Sequence, residues 1–246
     1  MNSPFLPKKS MVYGRRKGRP LRKTKTALLK DLLPSLEFQL SPLEKLPPSL
    51  FQEKKPLWIE IGYGTGDHLA SQLKEHPQYN FIGCEPFLGG IAGFLEKIAS
   101  LNLPLENIRL FTQDARSLLR GLDANSVEKV FLLFPDPWPK KKHTKRRFLQ
   151  QETLSEIIRI LIPSGLLILA SDHEDYFSSM LTLVTQHPTL ILQENKALPN
   201  STDPLLRPPF WPMTRFENKA HEAKRHSRYM ILQKCPSSLE NLEVLS

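Results

Sequence analysis

The chain predicts an α/β fold, a Rossmann-like sheet of seven strands that is mostly parallel, closes on an antiparallel terminal hairpin and carries helices on both faces. Three observations lead there. From about residue 57 short apolar runs alternate with stretches of helical periodicity, the pattern of successive βαβ units. A glycine-rich turn joins the first run directly to a helix. Near the end the alternation fails and leaves two strands with no crossover helix between them. Such strands pair antiparallel, because a parallel neighbour needs a longer helical return.

Leu57 to Ile61 is the first strand, a short apolar run bounded by the glycine turn. Asp67 opens a helix to about His76, with Leu69, Ala70 and Leu73 on one face. Asn80 to Glu85 is the second strand; Ile91, Phe94, Leu95 and Ile98 mark the next helix; Asn107 to Thr112 is the third strand. After a helical turn at Ala115 to Leu119, Val127 to Phe134 is the most apolar strand and belongs in mid-sheet. A helix from about Arg147 to Leu161 turns Phe148, Leu154, Ile157, Ile158 and Leu161 inward, and Leu166 to Ser171 is the fifth strand. Tyr176, Phe177, Met180, Leu181 and Val184 stripe a further helix. Thr189 to Gln193 and Tyr229 to Gln233 complete the seven strands, separated by a Pro-rich insertion over 195–227 that shows no strongly periodic helix. The organisation expected is a basic arm over 1–33 with a short helix at Thr24 to Leu33, a linker over 34–56, the α/β domain over 57–234 and a tail over 235–246.

With 246 residues, 40% of them hydrophobic and 24% charged, the chain belongs with ordinary globular proteins and can bury a sizeable core. Cys84 and Cys235 stand alone and far apart, which excludes a disulfide framework and a cysteine zinc site and fits a reducing, cytoplasmic setting. No HExxH or GxSxG is present, so neither metal catalysis nor a serine nucleophile is expected. Ile160 to Ser171, an uncharged apolar stretch, is interrupted by Pro163 and Gly165 and falls short of the ~20 residues of a membrane span. The net charge of +9 is segregated: ten Lys and Arg and no acid lie in residues 1–30. A second knot gathers Lys140, Lys141, Lys142, Lys145, Arg146 and Arg147. Two dense positive patches on an otherwise acidic body point to a polyanion, most often nucleic acid.

The first strand runs into Glu60-Ile61-Gly62-Tyr63-Gly64-Thr65-Gly66. Its GxGxG spacing is one residue shorter than the turn that seats a pyrophosphate, so a ligand without phosphates fits better. Glycines let the backbone approach such a ligand closely, and Glu60 at the mouth favours a cationic part of it. The second strand ends in Glu85, suited to accept both hydroxyls of a ribose, and the third ends in Gln113-Asp114, suited to an exocyclic amino group. Ribose, adenine and an amino-acid cation together describe S-adenosylmethionine.

The fourth strand exits into Phe134-Pro135-Asp136-Pro137-Trp138-Pro139, where prolines fix φ on both sides of Asp136 and hold its carboxylate on a stiff turn. The basic knot follows at once, so a rigid acid and phosphate-seeking charge share one stretch. These residues carry a resemblance. With EIGYGTGDHL (60–69), FIGCEPFLGGIAGFL (81–95), QDARSLL (113–119), VFLLFPDPWPKKKHTKRRFLQ (130–150), GLLILASDHEDY (165–176) and TRFENKA (214–220), the chain resembles the bacterial tRNA (guanine-N7-)-methyltransferase family, whose members modify the guanine of the tRNA variable loop. FPDPWPK running into KRR is the specific segment; the glycine turn is shared by methyltransferases at large.

The resemblance implies S-adenosylmethionine as methyl donor and tRNA as partner. It gives Glu60, Glu85, Asp114 and Asp136, around Gly62, Gly64 and Gly66, contacts to the donor, with Asp136 also catalytic. It gives Lys140, Asp172, Thr214, Arg215, Phe216 and Glu217 contacts to the guanine, and Lys142, His143, Thr144, Lys145, Arg146 and Arg147 contacts to the RNA. No metal and no membrane are expected, and a monomer and a homodimer stay equally open. The family commonly has Phe and Glu where this chain has Tyr63 and Asp67. Two other readings compete: a methyltransferase acting on exocyclic nitrogen, which commonly places Asn or Asp before Pro-Pro-aromatic whereas here Asp136 is followed by a single Pro and then Trp138, and an RNA-binding protein that has lost catalysis, against which the full set of acids stands.

Overall fold

Strand residues of alternate parity face opposite sides of a sheet, and in this chain both sides are apolar. Leu57, Ile59 and Ile61 enter one core cluster, while Trp58 enters the other; Val130 and Leu132 join the first and Phe131 and Leu133 the second. Such strands are stable only when helices cover both faces, which is what the computed structural model of the protein has. It describes residues 18, 20–41, 44–197 and 211–236. The greater part of the basic arm (1–17 and 19), residues 198–210 of the insertion and residues 237–246 of the tail lie outside the described residues.

In chain order the elements are α1 (Lys23–Asp31), α2 (Leu33–Leu36), β1 (Glu37–Phe38), a 3₁₀ turn (Pro48–Leu50), β2 (Leu57–Ile61), α3 (Asp67–Glu75), β3 (Asn80–Cys84), α4 (Leu88–Ser100), β4 (Ile108–Phe111), α5 (Ala115–Gly121) and β5 (Val127–Leu133). There follow a second 3₁₀ segment (Lys141–Arg146), α6 (Gln151–Ile160), β6 (Leu161–Ser171), α7 (Glu174–Thr185), β7 (Leu190–Ala197), α8 (Arg215–Glu222) and β8 (Arg228–Lys234). The sheet order is β1-β4-β3-β2-β5-β6-β8-β7, parallel except that β8 runs antiparallel to both β6 and β7. The terminal hairpin is therefore present, with β8 inserted beside β6. Helices α5, α6 and α7 pack with the cluster containing Ile59 and Val130, and α3 and α4 with the cluster containing Trp58 and Phe131.

Four expectations are corrected. The sheet has eight strands, not seven: Glu37 and Phe38 pair with Leu110 and Phe111, and two residues are too few to carry an alternating pattern. Helix α6 starts at Gln151, because Gln150 adopts an extended conformation and closes a capping box with Thr153. Phe148 accordingly lies before the helix. Strand β6 begins at Leu161, with a register shift opposite Val127 and Lys129. The insertion contains α8, whose eight residues are too short to display a period but whose start is capped by Thr214 and Glu217.

The chain changes direction across the sheet between β2 and its neighbours, since β3 and β4 extend to one side of β2 and β5 and β6 to the other. Ligands of open α/β sheets bind at the carboxyl ends of the strands flanking such a switch point. The glycine turn leaves β2 there, and the proline turn leaves β5 there.

Candidate active site

Beyond β2 the chain reverses through Gly62, Gly64 and Gly66, all at positive φ (77°, 56° and 69°). Gly66 is the N-cap of α3, and a side chain there would collide with the Phe94 ring. Helix α4 leans on the same turn: a Cβ at Gly90 would lie 2.7 Å from the Gly64 carbonyl oxygen. Glycines on both partners thus let α4 and the turn touch through backbone. Just before α4, Glu85 is fixed by that backbone, its Oε2 accepting from the Gly64 amide and its Oε1 from the Phe87 amide, each at 2.9 Å.

Gly62, Gly64, Glu85, Asp114 and Asp136 line one cavity of about 670 Å³, within the usual range for a small-molecule site. Phe87, Gln113, Arg116, Trp138, Arg146, Phe148 and Lys219 contribute to the same wall. Burial pushes the Glu85 carboxyl above the ordinary glutamate range, with the Asp136 charge adding to the rise and the two amides opposing it. Asp136 is solvent-exposed by area, yet the cleft walls crowd its carboxyl, and this desolvation raises its pKa as well. Cys84, also in the wall, is buried and its thiol is pushed up, so it presents a neutral, compact surface. Asp114 caps α5 by accepting from the Arg116 amide at 3.0 Å, and the Arg116 guanidinium returns to pair with it at 3.2 Å. That guanidinium also lies 4.9 Å over the Phe148 ring.

The proline turn is strained and pinned. Phe134 and Trp138 have φ of 50° and 44°, a left-handed conformation that costs an aromatic residue about 1–2 kcal/mol. Arg147 restrains the turn from behind: its Nε donates to the Pro137 carbonyl at 2.9 Å, and its other nitrogens reach Ser179 Oγ and the Asp175 carboxylate on α7. The basic knot between them is wound into the 3₁₀ segment. Lys140, Lys141, Lys142 and Lys145 project into solvent, His143 packs edge-on to Trp138, and Arg146 lies 5.0 Å over the Trp138 ring.

Not every residue singled out in the sequence meets the cavity. Glu60 has the parity of Trp58, so it faces α3, where its buried carboxylate meets His68 Nδ1 at 2.7 Å. Arg147 is buried and committed to the turn, unlike its exposed neighbour Lys145. Asp172 accepts from Arg225 Nε at 2.8 Å. Glu217 is buried: it accepts from the Thr214 amide at 2.8 Å and from the Tyr229 hydroxyl, while Thr214 Oγ1 accepts from the Glu217 amide. The Arg215 amide donates to Asp67 Oδ2 at 3.3 Å. The Phe216 side chain lies outside the described residues. Arg116, Phe148 and Lys219 were missed by sequence reasoning. Arg116 was legible as the residue two after a capping Asp, and Lys219 as one turn on from Arg215; Phe148 was hidden by its assignment to the helix.

Among the described residues no helix is long and apolar enough to cross a membrane, and no group of three or more His, Cys, Asp and Glu stands ready to hold a metal ion.

Residues 54–230 match the family described as "Putative methyltransferase". The chain is 39% identical to the tRNA (guanine-N(7)-)-methyltransferase of Rhodospirillum rubrum over 93% of this chain and 89% of that protein. It is 40% identical to the enzyme of the same name from Rhizobium meliloti over 90% of this chain and 94% of that one. Among solved structures, a 16S rRNA methyltransferase superposes with a TM-score of 0.57 at 12% identity, covering 78% of this chain and 96% of its own. An antibiotic-related methyltransferase superposes with a TM-score of 0.53 at 14% identity, covering 82% and 98%. These two likenesses establish the fold.

Proposed function

The chain belongs to the bacterial tRNA (guanine-N7-)-methyltransferase family, and from that footing we propose that it transfers the methyl group of S-adenosylmethionine to N7 of the guanine at position 46 of tRNA, in the variable loop. One observation carries the reading at the level of residues. The glycine turn, Glu85, Asp114 and the proline-held Asp136 converge on a single cavity at the switch point of the sheet, and the 3₁₀ segment that carries the exposed lysines contributes Arg146 to its wall.

The cavity fits the methyl donor in size and in donor set. Each Glu85 oxygen accepts one amide bond and keeps a further lone pair, so the carboxylate is pre-aimed at the two hydroxyls of a ribose. Asp114 and Gln113 would take the adenine edge, with Arg116 and Phe148 forming a flat wall beside it. Gly62 and Gly64 leave the floor free of side chains for the amino-acid portion. Glu60, tied to His68, supports this end through the shape of the turn. When bound, S-adenosylmethionine supplies an electrophilic methyl group on a positively charged sulfur.

Guanine N7 carries an in-plane lone pair that is unprotonated at neutral pH, so no general base is required. The work of the protein is alignment, which in well-oriented reactions is equivalent to effective molarities of about 10⁵ M or more. As positive charge passes into the purine, the Asp136 carboxylate at the cleft and Asp172 at the end of β6 stabilise it without taking a proton. A carboxylate also accepts from N1–H and the 2-amino group of guanine, an edge that adenine lacks. Lys140 contacts the guanine and Lys142 to Arg146 bind the tRNA backbone, and a tRNA substrate puts the enzyme in the cytoplasm, where two free cysteines are at home.

The test is transfer of labelled methyl to unfractionated, hypomodified tRNA followed by nucleoside analysis. The label is expected in 7-methylguanosine, appearing about 10²–10³-fold more slowly with Asp136→Ala. Label in any other nucleoside, or undiminished transfer by the variant, overturns the reading.

A further inference from the structure

The carboxylate of Asp67 sits where three elements meet. Oδ2 accepts from Thr65 Oγ1 of the glycine turn at 3.1 Å and from the Arg215 amide of α8 at 3.3 Å, and Oδ1 pairs with Lys97 of α4. Asp67 is the first residue of α3, so the same carboxylate lies in the first turn of one helix and at the first amide of another. Both placements suit a negative charge, because the opening amides of a helix have no partner within it. Thr214 and Glu217 satisfy one another's amides at the start of α8, and the Arg215 amide turns to Asp67. Trp211, four residues earlier, packs on the ring of His68 beside Asp67, with centroids 4.6 Å apart.

The two elements joined in this way form two parts of one cavity wall. Gly62 and Gly64 of the turn line it, and so does Lys219, one helical turn after Arg215. A ligand that settles the turn therefore also settles α8, and a ligand that settles α8 settles the turn. Resting on the functional reading above, we propose that Asp67 is a positioning residue that couples the two substrates: through its link to the Arg215 amide, the methyl donor and tRNA each raise the affinity of the enzyme for the other. Linkage makes the effect reciprocal, and couplings of this kind amount to about fivefold or more.

The experiment measures the affinity of the full-length enzyme for S-adenosylhomocysteine, which cannot turn over, with and without saturating unmodified tRNA. The wild type is expected to bind it about fivefold or more tightly when tRNA is present. In Asp67→Ala that ratio falls to about one, and Asp67→Glu, which keeps the acceptor, restores it. Arg215→Pro deletes the donated N–H at a position where helices accept proline, and abolishes the ratio too. Arg215→Ala keeps the amide and keeps the ratio, whatever it does to tRNA affinity itself. A wild-type ratio of one, or a full ratio in both Asp67→Ala and Arg215→Pro, overturns the coupling. A wild type that binds no S-adenosylhomocysteine at all overturns the functional reading and the coupling with it, so the two failures are told apart.

Discussion

Beyond β3 and β4 the cleft carboxylates Glu85 and Asp114 accept from backbone amides, whereas beyond β6 Asp172 and Glu174 are held by arginine side chains. Glu85 accepts from two amides and Asp114 caps a helix. Asp172 instead pairs with Arg225 at 2.8 Å, and Glu174 with Arg228 at 3.6 Å, with Glu174 largely in solvent. Amides of a packed turn cannot move without unfolding it, so the first set is preorganised for a small ligand. Exposed ion pairs are worth only about 0–1 kcal/mol and exchange partners readily. On the proposed function, such pairs would be free to trade their present partners for a base and phosphates.

Asp136 stands between the two sides, and the largest effects belong there. Asp136→Ala is expected to lower kcat by about 10²–10³-fold, as losses of transition-state charge stabilisation do, with tRNA affinity changed far less. Single-turnover methylation rates against tRNA binding measure the split. Glu85→Ala is expected to weaken donor binding by about 10²-fold, because it removes the proposed ribose acceptor and leaves the Gly64 and Phe87 amides unpaired at about 1–3 kcal/mol each. Arg225→Ala, which frees Asp172, should change either quantity by no more than about threefold, the scale of an exposed pair. If Arg225→Ala matched Glu85→Ala, the contrast between the two sides would be broken.

Arg147 tests it from another direction, since this cation is buried although it stands in an exposed basic run. Loss of its bonds to Pro137, Ser179 and Asp175 is expected to cost about 2 kcal/mol and lower Tm by about 4–8 °C. The strained turn also loosens, and kcat falls by about tenfold. A calorimetric melt beside a kcat measurement checks both. The pH dependence is smaller. Glu85 and Asp136 both have raised carboxyl pKa values, so as pH falls they gain protons before ordinary carboxyls do. The KM for the methyl donor should therefore rise several-fold on the acid side while still above the ordinary carboxylate range; a KM flat through that range removes the two acids from donor binding.

How much of this was legible in the sequence follows from how local each feature is. The glycine turn, Glu85, Asp114 and Asp136 are strand-end residues, and once the strands were placed their convergence followed from topology. The side chosen by Glu60 was also there to be read, because it shares parity with Trp58 and so faces α3. Arg147 was not legible. Six cations in eight residues look alike, and the inward turn of one depends on Asp175 and Ser179, which lie far along the chain. Helix α8 gave no period in eight residues; the spacing of Thr214 and Glu217 as a capping box was the signal available. Strand β1 had none, since two residues joined to β4 are specified by their partner.

The least of the expected effects separates Arg147 from its neighbours by salt. Lys142 and Lys145 are exposed on the 3₁₀ segment with no turn to support. Each contact they make to an RNA phosphate releases counterions, so replacing either by Ala should reduce the slope of log K for tRNA against log salt by about 0.7–0.9 and weaken binding only a few-fold. Neither should move Tm or the donor's KM. Arg147→Ala should do the reverse, leaving the salt slope intact while Tm and kcat fall, because its guanidinium is buried and already paired with Asp175. Filter binding at several salt concentrations decides between them. A slope that changes with Arg147 and stays fixed with Lys142 would mean that the buried cation swings out to the RNA, and that the β6–β8 side rearranges much further than an exchange of surface pairs.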